Sequence, residues 1–188
     1  SFPFLGRNHI KLAIADDVAW VGGLSYQDED FDKEDFMMRL TDPSIVNVLA
    51  NQFDQVNELR ATKDQFIPCN DETYVMTDRG DRGKSLILDV ALNLVGRATQ
   101  NVKLTTQFAL NGEMEKTLYE AYKQGVDVTV YVSENESISE FYGRELDRFN
   151  KQITKIRRPN FPYAESKKRI HAKTLLVDFN QNGGGVGI

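Results

Sequence analysis

Two histidines occur in this chain, and they stand in matching company. His9 is followed by Lys11 and Asp16, His171 is followed by Lys173 and Asp178, and an arginine (Arg7 or Arg169) lies two places before each. The chain has 12 lysines and 16 aspartates in 188 residues. A given histidine would meet Lys and Asp at those offsets by chance on the order of 0.005 of the time, and both histidines on the order of 10⁻⁵, so the repeated H-x-K-x4-D pattern is a signal. On an extended strand, residues i and i+2 share a face about 6–7 Å apart. The histidine and lysine of each motif are therefore expected to project together. Two such strands side by side would bring two imidazoles and two ammonium groups to one pocket. That set suits a phosphodiester: a neutral imidazole attacks phosphorus, and a protonated one delivers a proton to the leaving oxygen. The lysines neutralise phosphoryl oxygens as charge builds. Such a site calls for no metal and no cofactor.

The elements that must hold these groups can be read from periodicity. His9 to Asp16 alternates and is β-prone, Asp16-Asp17 can turn, and Val18 to Val21 can return as the second strand of a hairpin ended by Gly22-Gly23. Tyr26 to Asp35 is acidic and reads as a solvated loop, and Phe36 to Leu40 as a strand. Asp42-Pro43 gives an N-cap and a proline at the first helical position, with Ile45, Val46, Leu49, Phe53 and Val56 at helical spacing. Residues 61–84 are polar and hold Pro68, Gly80 and Gly83, which suits a connecting segment. Gly80 to Ser85 lacks the earlier glycine of a phosphate-binding loop and reads as a loop with Ser85 as a helix cap.

Beyond Ser85, helix and strand alternate. Helices are expected after Ser85, over Glu113–Gln124 with Gly125 closing, and over Ile138–Asn150 with Phe141, Leu146 and Phe149. Strands are expected over Val102–Phe108, Val126–Val132, Ile153–Ile156 and Ile170–Asp178. Strands separated by helices of this length imply βαβ units. The fold class is therefore α/β, with a mixed or mostly parallel sheet flanked by helices.

Composition narrows the partners. The formal charge is −5, with acidic residues gathered early and basic ones late, which weighs against a duplex-binding protein. Cys69 is the lone cysteine, so an intrachain disulfide or a cysteine-based zinc site is excluded. No apolar run reaches the length that crosses a bilayer. Ser1 to Gly6 carries no signal-peptide n-region, and the chain reads as an excised segment. Arg157, Arg158, Lys167, Lys168 and Arg169, with Phe161 and Tyr163 interleaved, suggest a surface for lipid headgroups or a polyanion.

The paired motifs resemble the two HKD motifs of the phospholipase D superfamily. The stretch Asn8-His9-Ile10-Lys11 through Asp16 to Gly22-Gly23-Leu24-Ser25 is similar to the bacterial cardiolipin synthase and phospholipase D-like branch, as are the helix after Asp42-Pro43 and the segment 107–132. The resemblance implies a phospholipase D-like fold of two pseudo-symmetric repeats, both incomplete here. Residues 1–60 would be the C-terminal part of the first repeat, 61–84 a connection, and 85–188 most of the second. It implies a phosphohistidine intermediate on one histidine, commonly the first, with the other as general acid and then base. It adds Ser25 as a phosphate-pocket hydroxyl after the glycine pair, with Asn8 beside the first histidine. It also implies an acid downstream of the first motif that hydrogen-bonds the histidine and fixes its tautomer, with Asp35 the candidate and Glu34 the alternate. Asp16 and Asp178 are expected to end their strands in structural roles. After Asp178 the turn is longer than after Asp16, and Gly183 to Gly185 belong to it.

The implied substrate is a phospholipid, which entails membrane-surface contact in the full-length protein. A homodimer is compatible with the pattern. A nuclease-like phosphodiesterase and a non-catalytic binding or oligomerisation domain are the alternative readings.

Overall fold

The computed structural model describes residues 10–24, 33–57, 63–78, 84–135, 141–180 and 184–188. The chain forms two compact units, one of residues 1–22 and 37–89, the other of residues 23–36 and 90–188.

In the first unit, β1 (Leu12–Ala15) and β2 (Val18–Gly22) form an antiparallel hairpin joined by Asp16 and Asp17. Asp16 takes a φ of 52°, a left-handed conformation that aspartate tolerates better than most residues. The chain then carries β3 (Lys33–Glu34) in the other unit and returns as β4 (Met37–Leu40), antiparallel to β2. Helix α1 (Pro43–Asn57) follows. The Asp42 carboxylate accepts from the Ser44 backbone N–H at 2.8 Å and caps it, as the Asp-Pro pair predicts. The Ser44 side chain and backbone hydrogen bonds hold the Asp42 carboxyl below its usual range. Ile45, Val46 and Leu49 of α1 bury against Ala19, with Leu12, Ile14, Val21, Leu40 and Val75 around them. The polar stretch 61–84 contains a hairpin, β5 (Gln65–Pro68) with β6 (Tyr74–Thr77). Asn70 in its turn donates to the Asp42 carboxylate at 2.9 Å.

The second unit is built on a five-stranded sheet. Helix α2 (Leu86–Gly96) starts in the first unit, where Ser85 Oγ accepts from Leu88 N–H at 3.1 Å, and runs on into the second. Then come β7 (Asn101–Thr105), α3 (Glu113–Lys123), β8 (Asp127–Ser133), α4 (Phe141–Arg157) and β9 (Tyr163–Ser166). β7, β8 and β9 run parallel. β10 (Arg169–Ile170) lies parallel to β3. β11 (Thr174–Val177) and β12 (Val186–Gly187) complete the sheet as an antiparallel pair on the β7 side, in the order β12-β11-β7-β8-β9. The β-branched runs of β7 and β8 supply Val102, Val128, Val130 and Val132 to a core shared with Val95 of α2 and Leu118 of α3. Gly125 closes α3 at a φ of 93°, a conformation costly to a residue with a Cβ. The sheet is thus mixed, parallel on its β7-β8-β9 side, and it carries helices between its parallel strands.

Three sequence expectations change. Helix α4 runs to Arg157 and absorbs the strand expected over Ile153–Ile156. Its inward face is Asp147, Lys151 and Thr154, while Phe141, Tyr142, Leu146, Phe149 and Ile156 are exposed. Spacing of i, i+4 and i+7 still marks the buried edge, but polar residues occupy it. Second, the strand expected over Ile170–Asp178 is split into β10 and β11, with 171–173 in neither. Third, part of the basic cluster before the second motif turns to partners within the chain. Arg158 sits 3.7 Å from Glu115 and over the Tyr119 ring, and Phe161 and Tyr163 pack on the core. Among the described residues, no helix is long and apolar enough to cross a membrane.

Candidate active site

The strands of the two motifs, with the aspartates that close them, share one local geometry. β1 and β11 each begin three residues after the motif histidine, span four residues and end one residue before the motif aspartate. Asp16 and Asp178 take nearly identical left-handed φ values of 52° and 51°. Each strand then pairs antiparallel with the next (Ala15 with Val18, Val177 with Val186). The second turn is longer, with Asn180 N–H donating to the Gly184 carbonyl at 3.1 Å and Gly185 at a φ of 118°. Both H-x-K tripeptides precede their strands. The common direction expected of His171 and Lys173 therefore does not come from strand alternation. Lys173 is exposed, and its ammonium donates to the His171 carbonyl at 3.1 Å.

His171 sits where β10 ends, beside β3. Its backbone N–H and that of Ala172 both donate to the Glu34 carbonyl, at 2.9 and 3.2 Å. The next residue, Asp35, places Oδ2 2.9 Å from His171 Nδ1. The Asp35 and His171 side chains are only 5% and 13% exposed. Asp35 Oδ1 accepts from its neighbour Phe36 N–H at 2.8 Å. Both carboxylate oxygens thus act as acceptors, so Nδ1 must be the protonated nitrogen whenever the ring is neutral. That leaves Nε2 with a lone pair for attack or proton uptake, and a proton to give once the ring is charged. The acid downstream of the first motif therefore meets the histidine of the second. Glu34, the alternate, turns its carboxylate to Ser166 Oγ at 2.9 Å instead.

Gly23 explains part of this placement. A Cβ there would overlap the Asp35 carboxylate, and the Gly23 N–H donates to the Phe36 carbonyl at 3.2 Å. The glycine leaves room for the carboxylate to lie against the backbone. Gly22 closes β2 opposite Met37, and its N–H reaches the Lys11 carbonyl at 3.4 Å. Lys11 lies just before β1 and is half-buried. His9, Asn8 and Ser25 lie outside the described residues, so the expected meeting of the two imidazoles does as well.

Asp178 stands at the far end of β11 from His171. Its carboxylate accepts from the backbone N–H groups of Gln100 at 2.7 Å, Thr99 at 3.0 Å and Asn101 at 3.2 Å, and from Thr99 Oγ1 at 3.1 Å. These bonds, the Gln100 one foremost, hold its carboxyl below the ordinary value. Asp178 fastens the entry of β7 to the end of β11.

Several supporting groups carry no motif and escape a sequence reading. With its amide oriented to satisfy its neighbours, buried Gln107 accepts from the Arg169 guanidinium at 3.0 and 3.2 Å. Fully buried Ser133, the last residue of β8, accepts at Oγ from Ile170 N–H at 2.9 Å. These contacts lie beyond the carboxyl ends of β7 and β8, where open α/β sheets commonly bind ligands. The arginine repeated two places before each histidine was the one available clue to Gln107. Tyr163 on β9 stays neutral: burial pushes its hydroxyl up to about 12, and its oxygen accepts from Leu110 N–H at 3.1 Å.

The backbone is similar to those of two solved structures. The phosphatidylserine synthase of Haemophilus influenzae matches 90% of the chain at a TM-score of 0.59 with 15% identity. The polyphosphate kinase of Porphyromonas gingivalis matches 98% at a TM-score of 0.55 with 12% identity. The fold is phospholipase D-like. The chain spans about half of the phosphatidylserine synthase (52%) and under a third of the polyphosphate kinase (29%). No family model matches the chain, and no curated protein matches it in sequence. Within the phospholipase D-like fold, His171 and Asp35 are drawn together from chain positions 136 residues apart.

Proposed function

We propose that this chain carries the larger part of a phospholipase D-like catalytic core that cleaves or transfers phosphodiesters of phospholipids. The observation that carries the reading is the buried Asp35 carboxylate on His171 Nδ1, which presents Nε2 in the form that acid–base or nucleophilic chemistry needs. The duplicated H-x-K-x4-D pattern supports it, and so does a fold shared with a phosphatidylserine synthase.

In this mechanism His9 Nε2 attacks phosphorus, forming a phosphorus–nitrogen bond as the bond to the leaving oxygen breaks. His171 gives that oxygen its Nε2 proton, with Asp35 stabilising the imidazolium beforehand. His171 then takes a proton from water or from an acceptor alcohol, whose oxygen displaces His9. Lys11 and Lys173 are assigned to balancing the charge on the phosphoryl oxygens, and Ser25 and Asn8 to holding the phosphate. Residues 1–60 and 85–188 act as parts of two repeats joined by 61–84. The working protein meets a membrane surface to reach its substrate.

The test is turnover by the intact protein on phosphatidylglycerol micelles and on single-stranded DNA, with His9→Ala and His171→Ala alongside. Lipid turnover abolished in both variants is the expected result. DNA cleavage without lipid turnover would replace the lipid reading with a nuclease. Folded protein inert on both substrates would refute the catalytic reading.

A further inference from the structure

The least ordinary feature of the second unit is a pair of opposite charges inside it. Asp147 and Lys151 of α4 are 1% and 6% exposed and pair at 3.1 Å. Buried pairs of this kind add little net stability over well-packed apolar side chains, since desolvation offsets the attraction. What this pair does add is connection. The Lys151 ammonium donates to the Ser133 carbonyl at 2.8 Å and to Asn135 Oδ1 at 3.1 Å, and pairs with Glu165 at 3.2 Å. The other Asp147 oxygen accepts from Ala109 N–H. One helix thereby grips the segment after β7, the end of β8 and β9.

The first two of these are the segments that seat β10. Ser133 Oγ holds Ile170 N–H, and Gln107, two residues before Ala109, holds Arg169. His171 follows directly. On its other side the Glu34 carbonyl and the Asp35 carboxylate hold the backbone and the ring. The imidazole is thus set by two walls, and the ion pair anchors one of them.

We propose that Asp147 and Lys151 are positioning residues for His171, acting through Ser133 and the 107–109 segment to align the imidazole with Asp35. The catalytic arm of this inference rests on the phosphodiesterase reading, while its structural arm stands on the ring alone. Neither residue touches the reacting atoms. Their role is to fix the depth at which β10 docks, and through it the direction in which Nε2 points.

The experiment compares Lys151→Met, Lys151→Arg and the milder Ser133→Ala with Val95→Ala. The last removes core volume from α2 with no link to β10. Measured on each are kcat and KM on phosphatidylglycerol micelles, thermal stability, and ¹⁵N shifts of the His171 ring, which report its tautomer. The expectation for Lys151→Met and Ser133→Ala is a kcat loss of about 10- to 100-fold with KM nearly unchanged, as misalignment of a reacting group gives. Ring shifts should move away from the pure Nδ1–H form. Lys151→Arg should recover part of both, and Val95→Ala should lower stability alone. The proposal is overturned if Lys151→Met and Ser133→Ala leave the ring shifts unaltered, or if Val95→Ala moves them equally. Should Lys151→Met not fold, Lys151→Gln takes its place, judged by the same ring shifts. Should the unaltered protein turn over no lipid, the functional reading falls, and the ring shifts still decide this one.

Discussion

Replacing Asp35 by asparagine changes one atom in a closed geometry. Both carboxylate oxygens accept, Oδ1 from Phe36 N–H and Oδ2 from His171 Nδ1. An amide has one oxygen, so one donor must face an NH₂ group. Phe36 is the adjacent residue and its N–H is a fixed donor that has no tautomer to change, so the amide oxygen should stay with Phe36 and turn its NH₂ toward the imidazole. His171 would answer by moving its proton to Nε2, the wrong tautomer for proton uptake. A hydrogen bond to a charged group contributes about 1.5–3 kcal/mol, which alone corresponds to a rate loss of roughly 10- to 150-fold when it supports an imidazolium formed in the reaction. Tautomer inversion adds to this, and in the serine-protease triad the equivalent change costs about 10⁴ in kcat. A loss of about 10²–10⁴ in kcat on phosphatidylglycerol is therefore expected, with ¹⁵N shifts of the ring reporting the inverted tautomer. Asp35→Asn enzyme within about threefold of the parent rate, with the Nδ1–H form intact, would refute the reasoning.

Gly23→Ala should act on the same contact from the other side. Its methyl would overlap the Asp35 carboxylate, so we expect a destabilisation of about 1–3 kcal/mol by thermal melting, as for other overpacked sites, together with a loss of turnover resembling that of Asp35→Asn. Asp178→Ala should spare the ring and lower the melting temperature by a few degrees, because Thr99, Gln100 and Asn101 lose a shared acceptor. The folded carboxyl is held below its ordinary value of 3.8, so its stabilising contribution is present above that pH. It is lost as the pH falls through the lowered value. Melting curves of parent and Asp178→Ala should accordingly separate at pH 7 and converge in acid, and a gap that persists unchanged would contradict this.

Much of the fold could be read from residue order because local rules and tertiary structure agree. Asp42-Pro43 caps α1, Ser85 opens α2, Gly125 closes α3, and the valine-rich run forms β8. The failures have physical causes. In α4 Phe141, Tyr142, Leu146, Phe149 and Ile156 are exposed while the buried edge is Asp147, Lys151 and Thr154, which runs against the pattern that periodicity uses. The tripeptides at His9 and His171 look extended, yet the strands begin three residues later because β1 and β11 pair only from Leu12 and Thr174 onward. Asp35 lies at the end of an acidic stretch that composition assigns to solvent. Only the antecedent Gly23, which has no side chain to fill the space, shows why this one carboxylate turns inward. Ser133 is invisible in one dimension, since what selects it is contact with residue 170, and Gln107 is hinted at only through its partner, the repeated arginine.

His171 and its acid are encoded on opposite sides of the 61–84 stretch. Severing the chain there would leave one piece holding a carboxylate with no ring to orient, and another holding a ring with no carboxylate. A polypeptide carrying residues 85–188 alone would have to borrow its acid from a second molecule. The halves are therefore chemically interdependent, whatever stability each retains by itself.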